Sequence, residues 1–464
     1  MGALDFLVIL SFMGCFLQSQ AQSLSCHPND FQALQDFVRG LETVIDGWES
    51  ESYSDCCKWK GITCHSSSTG KVAELDLAEK KLSGKLSESL GNLDQLKALN
   101  LSHNFFKGSL PKSLFHLPNL QVLDLSSNYL AGPISTAINL PSIQELDISE
   151  NSLEGFLPKS ICHNSSSLRS LNLQRNYLQG NLPSQLGNCS SLEYLFLGQN
   201  NLNGEIAESP ISTAINLPSI QELDISENSL EGFLPKSICH NSSSLRSLNL
   251  QRNYLQGNLP SQLGNCSSLE YLFLGQNNLN GEIAENQIQT ASTPTGAPET
   301  SSQHAPATTK LTQLSLRENK LSGLISQRIS NLTNLVQFDI SSNAFSGTIP
   351  DAFHSIGKLE KFVAFSNNFT GFIPLSMSNS PTLTTLNLRN NSLEGFLNLN
   401  CSAMVKLATL GLASNGFSGP IPDNLPSCQA LSTLDLSRNK FTDCEMVVVN
   451  EMDQEMVTVT VDKR

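Results

Sequence analysis

Apolar and polar positions alternate along this chain in one recurring order. Leucines fall at i, i+3 and i+5, an Asn follows at i+8, another apolar residue at i+10, and a Gly-x-Ile/Leu-Pro step closes the unit. The phrase reads Leu96, Leu99, Leu101, Asn104 and Gly108-Ser-Leu-Pro111, and it returns about every 24 residues. Later copies carry Leu120, Leu123, Leu125 and Asn128, then Leu168, Leu171, Leu173 and Asn176. Near the end stand Leu407, Leu410, Leu412 and Asn415, before Gly419-Pro-Ile-Pro422. The Leu-x-Leu core predicts a short strand with one buried face, because its period is two. The Gly-x-Ile/Leu-Pro step predicts a bend followed by an extended segment, since Gly relaxes φ and Pro fixes it. The Asn sits where the strand turns. Buried there, it can hydrogen-bond backbone groups of its own coil and its neighbours, each worth roughly 1–3 kcal/mol if left unsatisfied.

A fixed period of this length and spacing predicts a leucine-rich-repeat solenoid. One coil cannot bury its own leucines, so stability comes from stacking. Fifteen units begin at Val72, Leu96, Leu120, Ile143, Leu168, Leu192, Ile220, Leu245, Leu269, Leu311, Leu335, Leu359, Leu383, Leu407 and Leu431. At a strand spacing of about 4.8 Å they make an arc on the order of 70 Å long. The first unit has Lys80 where the Asn belongs. The expected class is an α/β solenoid, a right-handed superhelix with a parallel sheet on its concave face and a small helical N-terminal cap.

Composition places this solenoid outside the cell. Residues 1–22 read as a secretory signal, apolar from Leu4 to Leu17 and followed by small or polar residues, though without a basic start. No later segment is apolar enough to span a bilayer. The net charge of −14 argues against a nucleic-acid partner. Nine Asn-x-Ser/Thr sequons stand at Asn100, Asn164, Asn188, Asn241, Asn265, Asn331, Asn368, Asn390 and Asn400, some expected to face the core. Cys26, Cys56, Cys57 and Cys64 cluster before the first repeat. An oxidising compartment would pair them, with Cys26–Cys56 and Cys57–Cys64 expected among three connectivities. Their spacing to His27 and His65 does not suit zinc. Cys162, Cys189, Cys239, Cys266, Cys401 and Cys428 fall late in their repeats, on the side away from the strands. Buried free thiols are the first reading there, and bridges between adjacent coils such as Cys162–Cys189 the second.

Three segments break the pattern. Pro133–Glu208 and Pro210–Glu285 are identical over 76 residues, adding three coils. The unit from Leu192 to Ser219 has 28 residues instead of 24, so the convex side should bulge near Ser209. Residues 286–310 are rich in Ser, Thr, Pro and Ala, and such a composition predicts disorder. The tail, 442–464, loses the repeat. Val447–Val449 and Val457–Val461 read as short strands, and the last coil is expected to expose its apolar side.

The N-terminal residues are more specific than the repeats. Cys26-His-Pro precedes an amphipathic stretch (Phe31, Leu34, Phe37, Val38, Leu41). Asp46-Gly-Trp48 and Asp55-Cys-Cys-Lys-Trp59-Lys-Gly-Ile-Thr-Cys64 follow. This resembles the N-terminal cap of plant leucine-rich-repeat receptors. With Lys81 to Gly91, Ile161-Cys-His-Asn-Ser165 and Leu386 to Leu393 it resembles the phytosulfokine-receptor family of plant receptor kinases, from about Cys26 to Phe441. The resemblance implies a plant-specific repeat type and an N-terminal cap over 23–70, with repeats over 71–285 and 311–441. As partners it implies a small secreted peptide hormone with sulfated tyrosine and a co-receptor kinase ectodomain. It places full-length members at the plasma membrane.

Such members hold the hormone between the concave face and an island loop, and signal through an intracellular kinase. No island, membrane span or kinase motif is legible before Arg464, so a truncated, non-enzymatic recognition domain in the apoplast is expected. Concave positions that could face a ligand are Arg317, Asn387, Arg389 and Asp435. Arg389 matches an Arg that the family turns toward its peptide, and a guanidinium suits sulfate or carboxylate. Without an island these positions make at most half a site, so hormone affinity should be weak or nil. No catalytic constellation, metal site or cofactor site is legible. The rival readings are a secreted inhibitor or decoy that binds a cell-wall enzyme or receptor, and a gene without a functional product.

Overall fold

The computed structural model describes residues 26–48, 55–65, 69–162, 166–209, 212–213, 217–236, 238–239, 244–283, 310–442 and 458–460. The signal segment, nearly all of the 286–310 insert and Val447–Val449 lie outside them.

Each Leu-x-Leu core forms a three- to five-residue strand, and these strands stack in register along the chain. Leu75, Leu99, Leu123 and Leu146 are successive partners, as are Leu386, Leu410 and Leu434 at the far end. Fifteen of the seventeen strands in this sheet come from the repeats. Their leucines are buried in one continuous core.

The Asn ladder supplies the bonds that leucines cannot. Asn128 donates from Nδ2 to the carbonyls of Leu101 (3.0 Å), Leu125 (3.2 Å) and Ser126 (3.1 Å), and its Oδ1 accepts from the Phe106 amide at 3.0 Å. The same pattern runs to Asn439, which donates to Leu412 and Leu436. Every such Asn ties its own coil to the preceding one. The residue before it sits in the left-handed region, as at His103 (φ 53°) and Ser127 (φ 52°), and turns the chain off the strand.

A second sheet of fifteen short parallel strands runs beside the first, from Ser83–Lys85 to Lys440–Phe441. The pattern had not suggested it. It forms because Asn-x-Leu/Phe-x-Gly also alternates between two corners, the left-handed residue before the Asn and a left-handed Gly such as Gly108 (φ 86°). The convex side carries 3₁₀ turns such as Glu88–Asn92 and Ser184–Asn188. The expected solenoid, with its parallel concave sheet and small helical N-terminal cap, is thus built mainly of strands, with one substantial helix among the described residues. In a typical coil the strands Ala98–Asn100 and Phe105–Gly108 are joined by corners and an extended Pro-led stretch, and the segment left on the convex side, Lys112–His116, is long enough only for a 3₁₀ turn.

That helix, Pro28–Arg39, caps the first coil. Its fully buried Asp30 accepts from Val72 N at 2.8 Å and Lys71 Nζ at 3.1 Å, and Lys71 also reaches Asp94 at 3.0 Å. Trp48 and Trp59 pack at 4.7 Å between ring centroids beside it. Cys26 is bonded to Cys56 and Cys57 to Cys64, which leaves no thiolate there for a metal.

The remaining described cysteines overturn the free-thiol reading. Cys162–Cys189, Cys239–Cys266 and Cys401–Cys428 are disulfides, each joining adjacent coils across 27 residues. Stacking brings the Cα atoms of Cys401 and Cys428 within 4.5 Å, inside the range for a bridge. Replacing Cys401 and Cys428 together by Ala should lower stability by about 2–4 kcal/mol. Urea unfolding under non-reducing conditions tests this, and an unchanged midpoint would refute it.

The duplication is absorbed without breaking either sheet. Leu195 pairs with Leu223 and Asn228 Nδ2 reaches Leu197 O at 3.0 Å. The surplus residues form a small antiparallel pairing of Ala207–Ser209 with Ser212–Thr213. The sheet also crosses the insert, since Leu272 pairs with Leu314 and Asn319 Nδ2 reaches Leu274 O at 3.0 Å. The expectation of an exposed last coil is corrected. Leu431, Leu434 and Leu436 are buried, and Thr458–Thr460 pairs in parallel with Thr433–Asp435. An open strand edge is a template for any β-prone segment within reach, and the tail supplies one.

Candidate functional site

The side chains between the strand leucines make the concave surface, and four of them were candidates from the sequence. Asn387 and Asp435 occupy one row of that surface, two coils apart, with Gly411 between them. Arg389 follows Asn387 on the same coil, where the Asn387 carboxamide oxygen accepts from the Arg389 amide at 3.3 Å. Its guanidinium Nε lies 3.3 Å from Asp435 Oδ2.

That reach over an intervening coil depends on Gly411. A Cβ there would stand 2.8 Å from Asn387 Oδ1 and 3.3 Å from Arg389 Cδ. The missing side chain leaves a trough along which Arg389 lies. Sequence reasoning missed Gly411, although Gly in the x position of Leu410-Gly-Leu412 is the visible signal. Asp435 is held in turn by Ser437, whose Oγ donates at 2.7 Å and whose amide donates at 3.2 Å. Arg389 remains 56% exposed, so part of its fork faces solvent. The arrangement can offer N–H donors to an anionic group while Asp435 fixes the approach.

Arg317 is not part of this group. It lies three coils away, beside Glu318 at 3.8 Å and within 3.5 Å of Gln276 Oε1. Similar cross-coil pairs line the flank of the concave sheet earlier in the chain, including Arg175 with Glu150 and Arg252 with Glu227. Exposed pairs of this kind contribute little to stability.

Asp147 is a carboxylate of the concave rows whose pKa is raised. Burial pushes its pKa up. Hydrogen bonds from Ser149 and Asn172 oppose this, and the neighbouring Asp124 carboxylate reinforces it. A raised folded-state pKa means that the native state holds the proton more tightly. The contribution of Asp147 to stability is therefore larger below its ordinary pKa and is lost as pH rises through the elevated value. Asp124→Asn should move the Asp147 titration downward, as carboxyl carbon NMR against pH would reveal. An unmoved titration would show that Asp124 has no part in it.

None of the seven described sequon residues is buried, so the expectation that some face the core finds no instance among them. Asn188, Asn265, Asn368, Asn390 and Asn400 are exposed, and Asn100 and Asn331 are half-buried. Asn164 and Asn241 lie outside the described residues. Asn390 directly follows Arg389, so a glycan there would crowd the trough.

A disulfide-capped solenoid of 24-residue coils, with a concave parallel sheet and an Asn ladder, defines a leucine-rich-repeat domain similar to plant receptor ectodomains. The comparisons agree in detail. The chain matches the leucine-rich repeat region family over 64–286, the leucine-rich repeat N-terminal domain over 27–65, and the leucine-rich repeat over 310–332 and 334–356.

Among curated relatives it is 44% identical to phytosulfokine receptor 1 of Arabidopsis thaliana over 209 residues, covering 44% of this chain and 21% of that protein. It is 36% identical to phytosulfokine receptor 2 of the same plant over 97 residues, covering 20% of this chain and 9% of that one. The chain thus aligns with about a fifth or less of the length of these relatives. A solved TDR receptor structure superposes with a TM-score of 0.69 at 30% identity, covering 79% of this chain and 60% of that one. The plant peptide hormone receptor RGFR1 in complex with RGF2 does so with a TM-score of 0.67 at 28% identity, covering 83% and 65%. Among the described residues, no helix is long and apolar enough to cross a membrane.

Proposed function

We propose that this chain is the extracellular recognition part of a phytosulfokine-receptor-like protein, binding a small secreted peptide or a co-receptor ectodomain through its later coils. The observation that carries this reading is the Arg389 fork, laid over Gly411 and steadied by Asp435, with its outer N–H groups open to solvent. Similarity to the phytosulfokine receptors and to a peptide-bound receptor structure supports the kind of partner. A sulfated-tyrosine peptide suits the exposed guanidinium because sulfate accepts parallel N–H bonds. By itself the concave face offers donors on one side of such a ligand only.

The test is a calorimetric titration with a sulfated-tyrosine peptide, its unsulfated form and a co-receptor ectodomain. A dissociation constant weaker than about 1 μM is expected for the sulfated form, corresponding to less than about 8.2 kcal/mol. Arg389→Ala should remove the preference for sulfate. Submicromolar affinity would show that the concave face is a whole site rather than half of one. Absence of saturable binding by peptide and co-receptor alike would defeat the proposal.

A further inference from the structure

The second sheet, on the flank of the solenoid, carries features that peptide recognition on the concave face does not use. Phe156 ends the strand Ser152–Phe156 and is 68% exposed. Its ring lies over Gly180 of the next coil, so close that a Cβ at Gly180 would overlap it. Beside the ring opens a cleft of about 680 Å³, lined among others by Lys159, Gln179, Asn181, Asn203 and Glu205. Gln185 also lines it, and its buried Oε1 has no hydrogen-bond donor among the described residues. A second hollow shares Asn181, Asn203 and Glu205 with the first and continues across the following coil to Ser229 and Glu231. The strand holding those two residues ends at Phe233, which is 61% exposed and lies over Gly257 just as Phe156 lies over Gly180.

The lining chemistry is selective. One cation and a few carboxylates stand among side-chain amides, each of which both donates and accepts. An exposed aromatic ring presents a negative face, which attracts the weakly positive C–H groups of a pyranose ring. Apolar ligands find too many amides here, and polyanions meet Glu205 and Glu231. The duplication then repeats the arrangement three coils on, with Gln256, Asn258 and Glu282 following Phe233 in the order that Gln179, Asn181 and Glu205 follow Phe156. Asn258 overhangs Gly281 as Asn181 overhangs Gly204.

We propose that this flank binds a neutral, linear oligosaccharide, stacked on Phe156 and Phe233 and hydrogen-bonded by the amides between them. Its two rings are three strand spacings apart, about 14 Å. Only a chain long enough to touch both gains the effective concentration of a tethered second contact.

The experiment titrates the full secreted chain with neutral cello-, xylo- and manno-oligosaccharides of two and six sugars, and with a polyanionic oligogalacturonide. At least one neutral hexasaccharide should bind tenfold or more tightly than its disaccharide. Phe233→Ala and Phe156→Ala should each collapse that difference. Circular dichroism melts confirm that the variants fold, and Asn203→Asp provides a change that leaves the rings in place and should weaken binding. No saturable binding of any neutral probe, binding of the oligogalacturonide instead, or unchanged affinities in both Phe variants would overturn the proposal.

Discussion

Replacing Asn128 by Ala is expected to destabilise the solenoid by roughly 3–6 kcal/mol, more than any surface change on either face. The estimate follows from four backbone partners, the Phe106 amide and the carbonyls of Leu101, Leu125 and Ser126. Asn128 is 6% exposed, so water cannot readily take its place. Unsatisfied buried groups cost about 1–3 kcal/mol each, and partial rehydration keeps the sum below its maximum. Asn128→Asp should lie between the two, since it keeps the acceptor for Phe106 and loses three donor bonds. The loss should be local as well as global, because each coil depends on its neighbours. Urea denaturation and hydrogen exchange of the Phe106 and Leu130 amides measure it. A midpoint within error of the parent protein would mean that the leucines alone hold the stack.

Removing the Asp30 carboxylate is expected to release the cap. Asp30→Ala should cost about 3–5 kcal/mol, the usual penalty for breaking a buried ion pair by one partner. The change strands the Val72 amide and takes from Lys71 one of its two carboxylates. Burial acts to lower the Lys71 pKa, and the hydrogen bonds and charges of Asp94 and Asp30 outweigh it, so the net shift is upward. A raised lysine pKa stabilises the fold fully below the unfolded value near 10.4 and is lost as pH rises through the folded value. The cap should therefore loosen in strong alkali, and Asp30→Ala should blunt that dependence. Tryptophan fluorescence reports it, since Trp48 and Trp59 pack beside the helix. An Asp30→Ala protein with parental emission and parental alkaline stability would show that the disulfides Cys26–Cys56 and Cys57–Cys64 suffice to hold the cap.

Particular residues show how far the sequence could be read. The Leu-x-Leu strands, the Asn ladder and the N-terminal helix are local patterns, and each appears where its residues placed it. The joint at Ser209 was legible as surplus length, although its resolution into a small antiparallel pairing was not. Arg389 could be singled out by resemblance. Its lie across Gly411 could not, because the relation spans 46 residues from Arg389 to Asp435 and exists only once three coils are stacked. The same reason explains the error over Cys162, Cys189 and their counterparts. Their spacing of 27 residues says nothing of distance until the coils close.

The sequence by itself determined the period, the inward-facing leucines, the capped N-terminus and the acidic surface, because these follow from backbone periodicity and side-chain chemistry within one coil. Tertiary structure decided the second sheet, the bridges between coils, the pairing of the tail with the last strand, and which concave and flanking side chains meet. Those depend on the stacking of neighbouring coils. A shift of one residue in a single coil would change every cross-coil contact it makes and leave the repeat phrase as it is.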